Sequence, residues 1–360
     1  MGIQEKIKEI EDEMFKTQKN KATERHLGIL RAKLAQLRAK LISGSGGGGG
    51  GSGGFDVKKT GDASVALIGF PSVGKSTILT KITNAESQVA AYAFTTLTCI
   101  PGMMEYNGAK IQILDLPGIV EGAKDGRGRG REVIAVARST DLIVAILDAA
   151  HPEQQASIER ELEGFGIRIN KKPPNIFVSK TDKNGIIIDS TLPLTKISKD
   201  EIVSVLNTYD YFNADVIFRD DGGVDELIDV LEGNRVYIPA IYVINKTDTV
   251  DAKQLEKFPK ESIPVIANIG KNLDAVKDMI YEKLKLIRVY TKRKGEELDD
   301  EPMVVRAGTN VAEICNLLHR DLRKNFRYGL VWGKSAKHPG QRVGLNHVLL
   351  DEDIVQVIKR

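Results

Sequence analysis

Ile3, Ile7, Ile10 and Met14, and further on Leu27, Leu30, Leu34, Leu37 and Leu41, recur at intervals of three or four residues, the period of one helix face. The pattern predicts two amphipathic helices. NKAT at 20–23 lies between them and offers a turn with Thr23 as a possible N-cap, so an antiparallel helical hairpin is expected. Beyond it the pattern changes to short continuous apolar runs, SVALIGF (64–70), KIQILDL (110–116) and DLIVAILDA (141–149), of the kind that form buried parallel strands. Helix patterns, STILTKIT and EVIAVARS, stand between the runs. Strands alternating with helices predict a doubly wound α/β domain.

GSGGGGGGSGG, residues 44–54, separates the hairpin from that domain. With no side chains to bury it reads as a flexible linker, a packed glycine segment being the alternative. Residues 165–236 carry their own turns and two helix patterns, KDEIVSVLNTY and GVDELIDVLEG, and read as a small α/β insertion. From about residue 288 a strand and helix in EPMVVRAGTNVAEICNLLHRDL, then further strands in GLNHVLLDEDIVQVIKR, suit a small β-grasp module. The expected division is therefore 1–43, a glycine-rich 44–61, a nucleotide domain of 62–164 with 237–287, the insertion 165–236, and 288–360.

A chain of 360 residues, 41% hydrophobic and 28% charged, has room for several domains. It contains no apolar run long enough to span a membrane, and its start, MGIQEKIKEIEDEMF, lacks the apolar core of an export signal. Cys99 and Cys315 have no metal-ligand spacing, which fits a reducing, cytoplasmic setting. The net charge of +3 decides nothing by itself, but the basic residues cluster at the two ends. Arg25, Arg31, Lys33, Arg38 and Lys40 are the only charges from 25 to 40, open to reading as a solvated face or as a contact with a phosphate backbone. Residues 319–342 hold Arg320, Arg323, Lys324, Arg327, Lys334, Lys337 and Arg342 against one acid, interleaved with Phe326, Tyr328 and Trp332. The charges suit RNA phosphates, while the rings, Trp332 above all, are expected in the core of the small domain.

GFPSVGKS, Gly69 to Ser76, matches G-x-x-x-x-G-K-S/T in full, after a strand and before a helix. Gly69 and Gly74 let the chain turn tightly enough for successive N–H groups of Phe70, Pro71's neighbours, Ser72, Val73 and Thr77 to converge on phosphate oxygens. Lys75 is placed to reach the β- and γ-phosphates, and the Ser76 hydroxyl to ligate Mg2+. Asp115 of DLPG suits a carboxylate that holds the metal through water, and the Gly118 amide can sense the γ-phosphate. In AFTTLTC (93–99), beside Phe94, a threonine hydroxyl can reach the metal when triphosphate is present; Thr96 is favoured over Thr95.

Two tetrapeptides compete to read the base, SKTD at 179–182 and NKTD at 245–248. The first is followed at once by NGIIID, a hairpin turn and a new strand. The second follows IPAIYVI and precedes IPVIAN and a long helix pattern, which restores the strand–helix alternation. Asn245, Lys246 and Asp248 are therefore chosen. The Asp248 carboxylate would accept hydrogen bonds from guanine N1–H and the exocyclic amine, which adenine cannot supply, with Ala267 and Asn268 offering backbone amides near the guanine oxygen. That chemistry argues against an ATPase or kinase.

GFPSVGKST, FTTL, DLPGIVEGA and NKTD, in that order around an insertion, resemble the developmentally regulated GTP-binding protein (DRG) family, relatives of Obg, over nearly the whole chain. The resemblance implies a P-loop GTPase domain with a helical hairpin, an inserted domain and a C-terminal β-grasp TGS domain. It further implies a translation-associated GTPase that contacts ribosomes or RNA, and in eukaryotic members a dedicated regulatory partner protein. DNA and membranes are not expected partners. Ile119 follows the DLPG glycine where many GTPases place a water-orienting glutamine, so intrinsic hydrolysis should be slow. Water must then be oriented by a backbone group, a partner residue or a bound monovalent cation such as K+; Ser72 stands where K+-dependent relatives often have asparagine. Arg127, Arg129 and Arg131, alternating with glycines, form a basic loop for the γ-phosphate or RNA, or a solvated switch.

Overall fold

In the computed structural model, which describes residues 2–18, 20, 23–43, 60–83, 100–116, 129–292 and 301–359, the chain forms two compact units: 1–55 with 156–238, and 56–155 with 239–360. Residues 44–59 of the glycine-rich segment, Phe94, Thr95, Thr96, Cys99, Gly118, Ile119 and Arg127 lie outside the described residues, and of Arg129 and Arg131 only the backbone is described.

The first unit begins with the helical hairpin, α1 (Ile3–Lys16) and α2 (Glu24–Ser43). Thr23 closes the turn and does not cap α2 with its side chain: its hydroxyl donates to Gln18 O at 2.5 Å and accepts from Asn20 N at 3.1 Å. No residue of α1 is fully buried, whereas Leu27, Leu30 and Ala32 of α2 are. The reason is that α2 has a partner surface, Ala32 packing into the core of the inserted domain with Ile202, Val205 and Leu227.

The second unit carries the nucleotide-domain sheet. Its early part comprises β1 (Ala63–Ile68), α3 (Lys75–Ile82), β2 (Ile100–Tyr106), β3 (Ala109–Asp115), α4 (Arg129–Ser139) and β4 (Leu142–Asp148). Every residue of β1 is buried, as a strand covered on both faces requires, and each large aliphatic side chain there contributes about 1.5–3 kcal/mol.

The chain then passes through α5 (Gln154–Gly164) into the inserted domain: β5 (Ile167–Ile169), β6 (Ile176–Lys180), β7 (Ile186–Ser190), α6 (Lys199–Thr208), β8 (Ala214–Phe218), α7 (Val224–Glu232) and β9 (Val236–Ile238). Asn184 and Gly185 both have positive φ, 81° and 69°, as a tight hairpin turn requires. The expected hairpin nevertheless does not form. β8 lies between β6 and β7, antiparallel to the first and parallel to the second, because its alternating Ala214, Val216 and Phe218 fill the core that two strands alone would leave open. Helix α6 starts at a capping box in which Ser198 Oγ accepts from Glu201 N at 3.3 Å and Ser198 N donates to Glu201 Oε2 at 2.8 Å.

Returning to the second unit, β10 (Ala240–Asn245), the short helix α8 (Ala252–Leu255), β11 (Ile263–Pro264) and α9 (Leu273–Leu284) complete the nucleotide domain. Among the described residues its six-stranded sheet runs β11-β10-β4-β1-β3-β2, parallel except for β2. The C-terminal domain consists of β12 (Leu286–Thr291), β13 (Met303–Arg306), α10 (Val311–Leu318), α11 (Arg320–Lys324), β14 (Phe326–Trp332), β15 (Gln341–Val343) and β16 (Asp353–Lys359). The order β13-β12-β16-β14-β15 has β12 and β16 parallel at its centre, and α10 packs Val311, Ile314 and Cys315 against it, a β-grasp. Trp332 departs from expectation: it is only half-buried at the end of β14, and Val331 takes the core position. Strand alternation sends neighbouring side chains to opposite faces.

Candidate nucleotide site

The selected side chains gather at the carboxyl ends of parallel strands, where open α/β sheets place ligands. β1 delivers the loop at 69–76, β3 ends on Asp115, β4 on Asp148 and β10 on Asn245, with Asn245 and Asp148 in register. Gly69 has no room for a larger residue: a Cβ there would lie 2.5 Å from Ile146 O of β4. Gly74 has φ +96°, and a Cβ on it would lie 2.3 Å from Asn245 Nδ2. The loop glycines are thus demanded by close approach at one position and by left-handed backbone at the other.

Asn245 joins the two ends of the site. Its Nδ2 donates to Val73 O at 2.7 Å, and its Oδ1 accepts from Ala267 N at 3.0 Å. One buried amide therefore ties the phosphate loop to the turn at Ala267–Ile269. Lys75 Nζ donates to Gly69 O and Phe70 O, both at 2.8 Å, which holds the ammonium against its own loop. Asp248 sits exposed on the 3-10 turn Thr247–Thr249, its carboxylate open to a hydrogen-bonding ligand.

Ser76 Oγ donates to Asp115 Oδ2 at 2.9 Å, while Asp115 Oδ1 is buried without a hydrogen-bond partner among the described residues. A buried carboxylate oxygen with no donor is costly. A hydroxyl and a carboxylate so arranged are hard oxygen ligands, which fits Mg2+.

Two contributors escaped the motif reading. Asp148 accepts from Lys246 Nζ at 2.8 Å, fixing the lysine stem. Burial alone would raise the Asp148 carboxyl, but hydrogen bonds from Lys246 and the Ala150 amide outweigh it and set it below its ordinary value. The signal was present, since this aspartate ends a buried strand beside Asn245. Lys81 Nζ donates to Asn268 O at 2.9 Å, a link that its surface position on α3 does not announce. SKTD, by contrast, belongs to the inserted domain: Ser179 and Lys180 pair with β8 in the other unit.

Three family models match the chain from residue 64 onward: "50S ribosome-binding GTPase" at residues 64–180, "C-terminal region of MMR_HSR1 domain" at 183–286 and "TGS domain" at 287–359. The chain is 54% identical to developmentally-regulated GTP-binding protein 1 homolog of Dictyostelium discoideum, over 100% of both chains. The chain belongs to the developmentally regulated GTP-binding protein family. Developmentally-regulated GTP-binding protein 2 of Homo sapiens is 50% identical, again over 100% of both. Among solved structures, the YchF GTPase of Schizosaccharomyces pombe is similar at 16% identity, covering 84% of this chain and 99% of that one, with a TM-score of 0.47. A member of this family is a GTP-binding protein with a P-loop GTPase domain and a C-terminal TGS domain, and Asn245 lies in the GTPase domain. No helix among the described residues is long and apolar enough to cross a membrane.

Proposed function

We propose that the chain binds GTP with Mg2+ and hydrolyses it slowly to GDP and phosphate, as a conformational switch that acts on ribosomes or RNA in cytoplasmic translation. The single observation that carries the reading is the Asn245 amide, which ties the Val73 carbonyl to the Ala267 amide and so links a phosphate-binding loop to a base-reading turn. In this reading Gly69 to Thr77 cradle the phosphates, Lys75 neutralises them, and Asp248 with Ala267 and Asn268 reads guanine. Ser76 and Asp115 would hold Mg2+, with Thr96 and the Gly118 amide joining when triphosphate is present. The metal supplies charge neutralisation between the β- and γ-phosphates.

Calorimetry tests the foundation: GTP should bind far more tightly than ATP, and equal affinities would end the proposal. Turnover in KCl against NaCl tests whether a monovalent cation orients the water that Ile119 cannot. A higher rate in KCl supports K+, and equal rates leave the water to a backbone or partner group. The ribosome reading rests on the description of the matched family as ribosome-binding and on the basic C-terminal domain, where Arg342 and Arg327 flank the Tyr328 ring at 4.6 Å and 5.9 Å. Co-sedimentation with ribosomes should differ between GDP and a non-hydrolysable GTP analogue. Identical pelleting would favour an adaptor in which GTP is structural, with any regulatory partner protein acting elsewhere.

A further inference from the structure

A second concave site lies wholly within the unit of 1–55 and 156–238. A cavity of about 230 Å3 is walled by α2, α5, β5, α7 and the link to β9. Six of its side chains are cationic, namely Arg31, Arg38, Arg160, Arg168, Lys171 and Arg235, and only three, Glu163, Asp225 and Asp229, are acidic.

The carboxylates are already committed. Asp229 receives Arg168 bidentately, Nε to Oδ2 at 2.7 Å and Nη2 to Oδ1 at 2.6 Å, and then also Arg235 Nε at 3.2 Å and Tyr237 Oη at 3.3 Å. Glu163 is taken by Lys171 at 2.6 Å, and Asp225 by Arg31 at 3.4 Å. Arg38 pairs away from the three, with Glu11 at 2.7 Å. Two cations are left over. Arg235 has a side chain only 5% exposed and shares a carboxylate that Arg168 already occupies; its terminal nitrogens make no hydrogen bond among the described residues. Arg160 on α5 is exposed and makes no ion pair among the described residues.

A guanidinium withdrawn from water with half a counter-ion is costly, and a network serving structure alone would match charges. A further anion would balance the two cations left over. Phosphate suits it best, since planar guanidinium forks meet phosphoryl oxygens bidentately. The volume is below the roughly 300–1,000 Å3 that enclose a drug-sized ligand, so the cavity takes the charged part of a ligand and leaves the remainder outside. We propose that this cavity is a phosphate-binding site, separate from the nucleotide loop, in which Arg160 and the terminal nitrogens of Arg235 grip a multiply charged phosphoryl group, supplied either by a free polyphosphate or by an RNA strand. The proposal does not rest on GTP binding.

The test is calorimetric titration of the full chain in magnesium-free buffer, with inorganic tripolyphosphate in one arm and a short RNA oligonucleotide in the other. Four variants accompany the wild type: Arg160→Glu, Arg235→Gln, Lys183→Glu as an equal charge change at an exposed position of the same unit outside the cavity, and Lys75→Ala to disable the loop. Affinity for at least one probe should fall about tenfold or more in Arg160→Glu and Arg235→Gln, one charge-assisted contact each, and persist in Lys183→Glu and Lys75→Ala. Arg160 is exposed, so its variant keeps the test valid should Arg235→Gln misfold. Sensitivity with tripolyphosphate assigns the source to a free polyphosphate, and with RNA alone to an RNA strand. No binding by the wild type, an equal loss in Lys183→Glu, or a loss confined to Lys75→Ala would overturn it.

Discussion

The proposed nucleotide loop and the proposed phosphate cavity would both receive anions, and they differ in what would supply the charge. At the loop, consecutive residues from Gly69 to Ser76, one lysine among them, and the start of α3 would supply most of the contacts. Side chains from elsewhere, Asn245 and Asp115, brace it through single hydrogen bonds. In the cavity no two cations are neighbours in sequence, and five segments each bring a charged side chain to a common space. The first design is local and rigid by backbone geometry. The second is held by packing and by ion pairs between distant segments, above all those that share one overcommitted carboxylate, Asp229.

The largest effect should come from Asp229→Ala. It strands two buried guanidinium groups, and removal of one partner of a buried network costs about 3–5 kcal/mol. Hydrogen exchange should show β5 and β9 opening first; unchanged protection would mean that Asp229 does not organise the cavity. Lys75→Ala comes next. It should weaken GTP binding about 100-fold, close to 3 kcal/mol and the scale of a lost charge-assisted bond, while leaving the stability of the other unit alone. A comparable loss of protection in both units would break the distinction between them.

Gly74→Ala should cost about 1–2 kcal/mol from its left-handed backbone alone. The displaced Asn245 adds to that, and the mutation should weaken nucleotide binding and the Ala267 contact together. A smaller effect is expected from Asp148. Because its carboxyl titrates below the ordinary 3.8 in the fold, its contribution is whole above that value and is lost as pH falls through the lower folded value; raising the pH further adds nothing. The half-exposed Lys246 limits this to less than about 1 kcal/mol. Thermal unfolding of wild type and Asp148→Asn at pH 3 to 6 checks it, and the two curves should converge at the acid end. Smallest is Arg31→Ala, whose 3.4 Å pair with a largely exposed Asp225 should leave stability within about 0.5 kcal/mol.

How far each region could be read from the chain follows from the same contrast. The loop, Asp115 and NKTD were legible because each signal occupies a few adjacent positions on a buried strand or at its end. The sheet was legible too, since β1, β3, β4 and β10 are continuous apolar runs. The order of β6, β8 and β7 was not. NG at 184–185 dictates its turn locally, but which strand lies beside which depended on Phe218 and Val216 finding the core. Trp332 was misplaced for a related reason: composition says a tryptophan is usually buried, and only the register of β14 says which face it takes.

By itself the sequence determined the elements, the phosphate loop and the choice of NKTD over SKTD, because helix period, strand hydrophobicity and backbone conformation act over a handful of residues. Tertiary structure alone decided that Asn245 would clamp Val73 to Ala267, that Asp148 would hold Lys246, and that guanidinium groups from residue 31 to residue 235 would share one cavity. Coulombic and hydrogen-bond partners are chosen by distance in space, and the strand crossings and helix packing that set those distances are written nowhere as a local pattern.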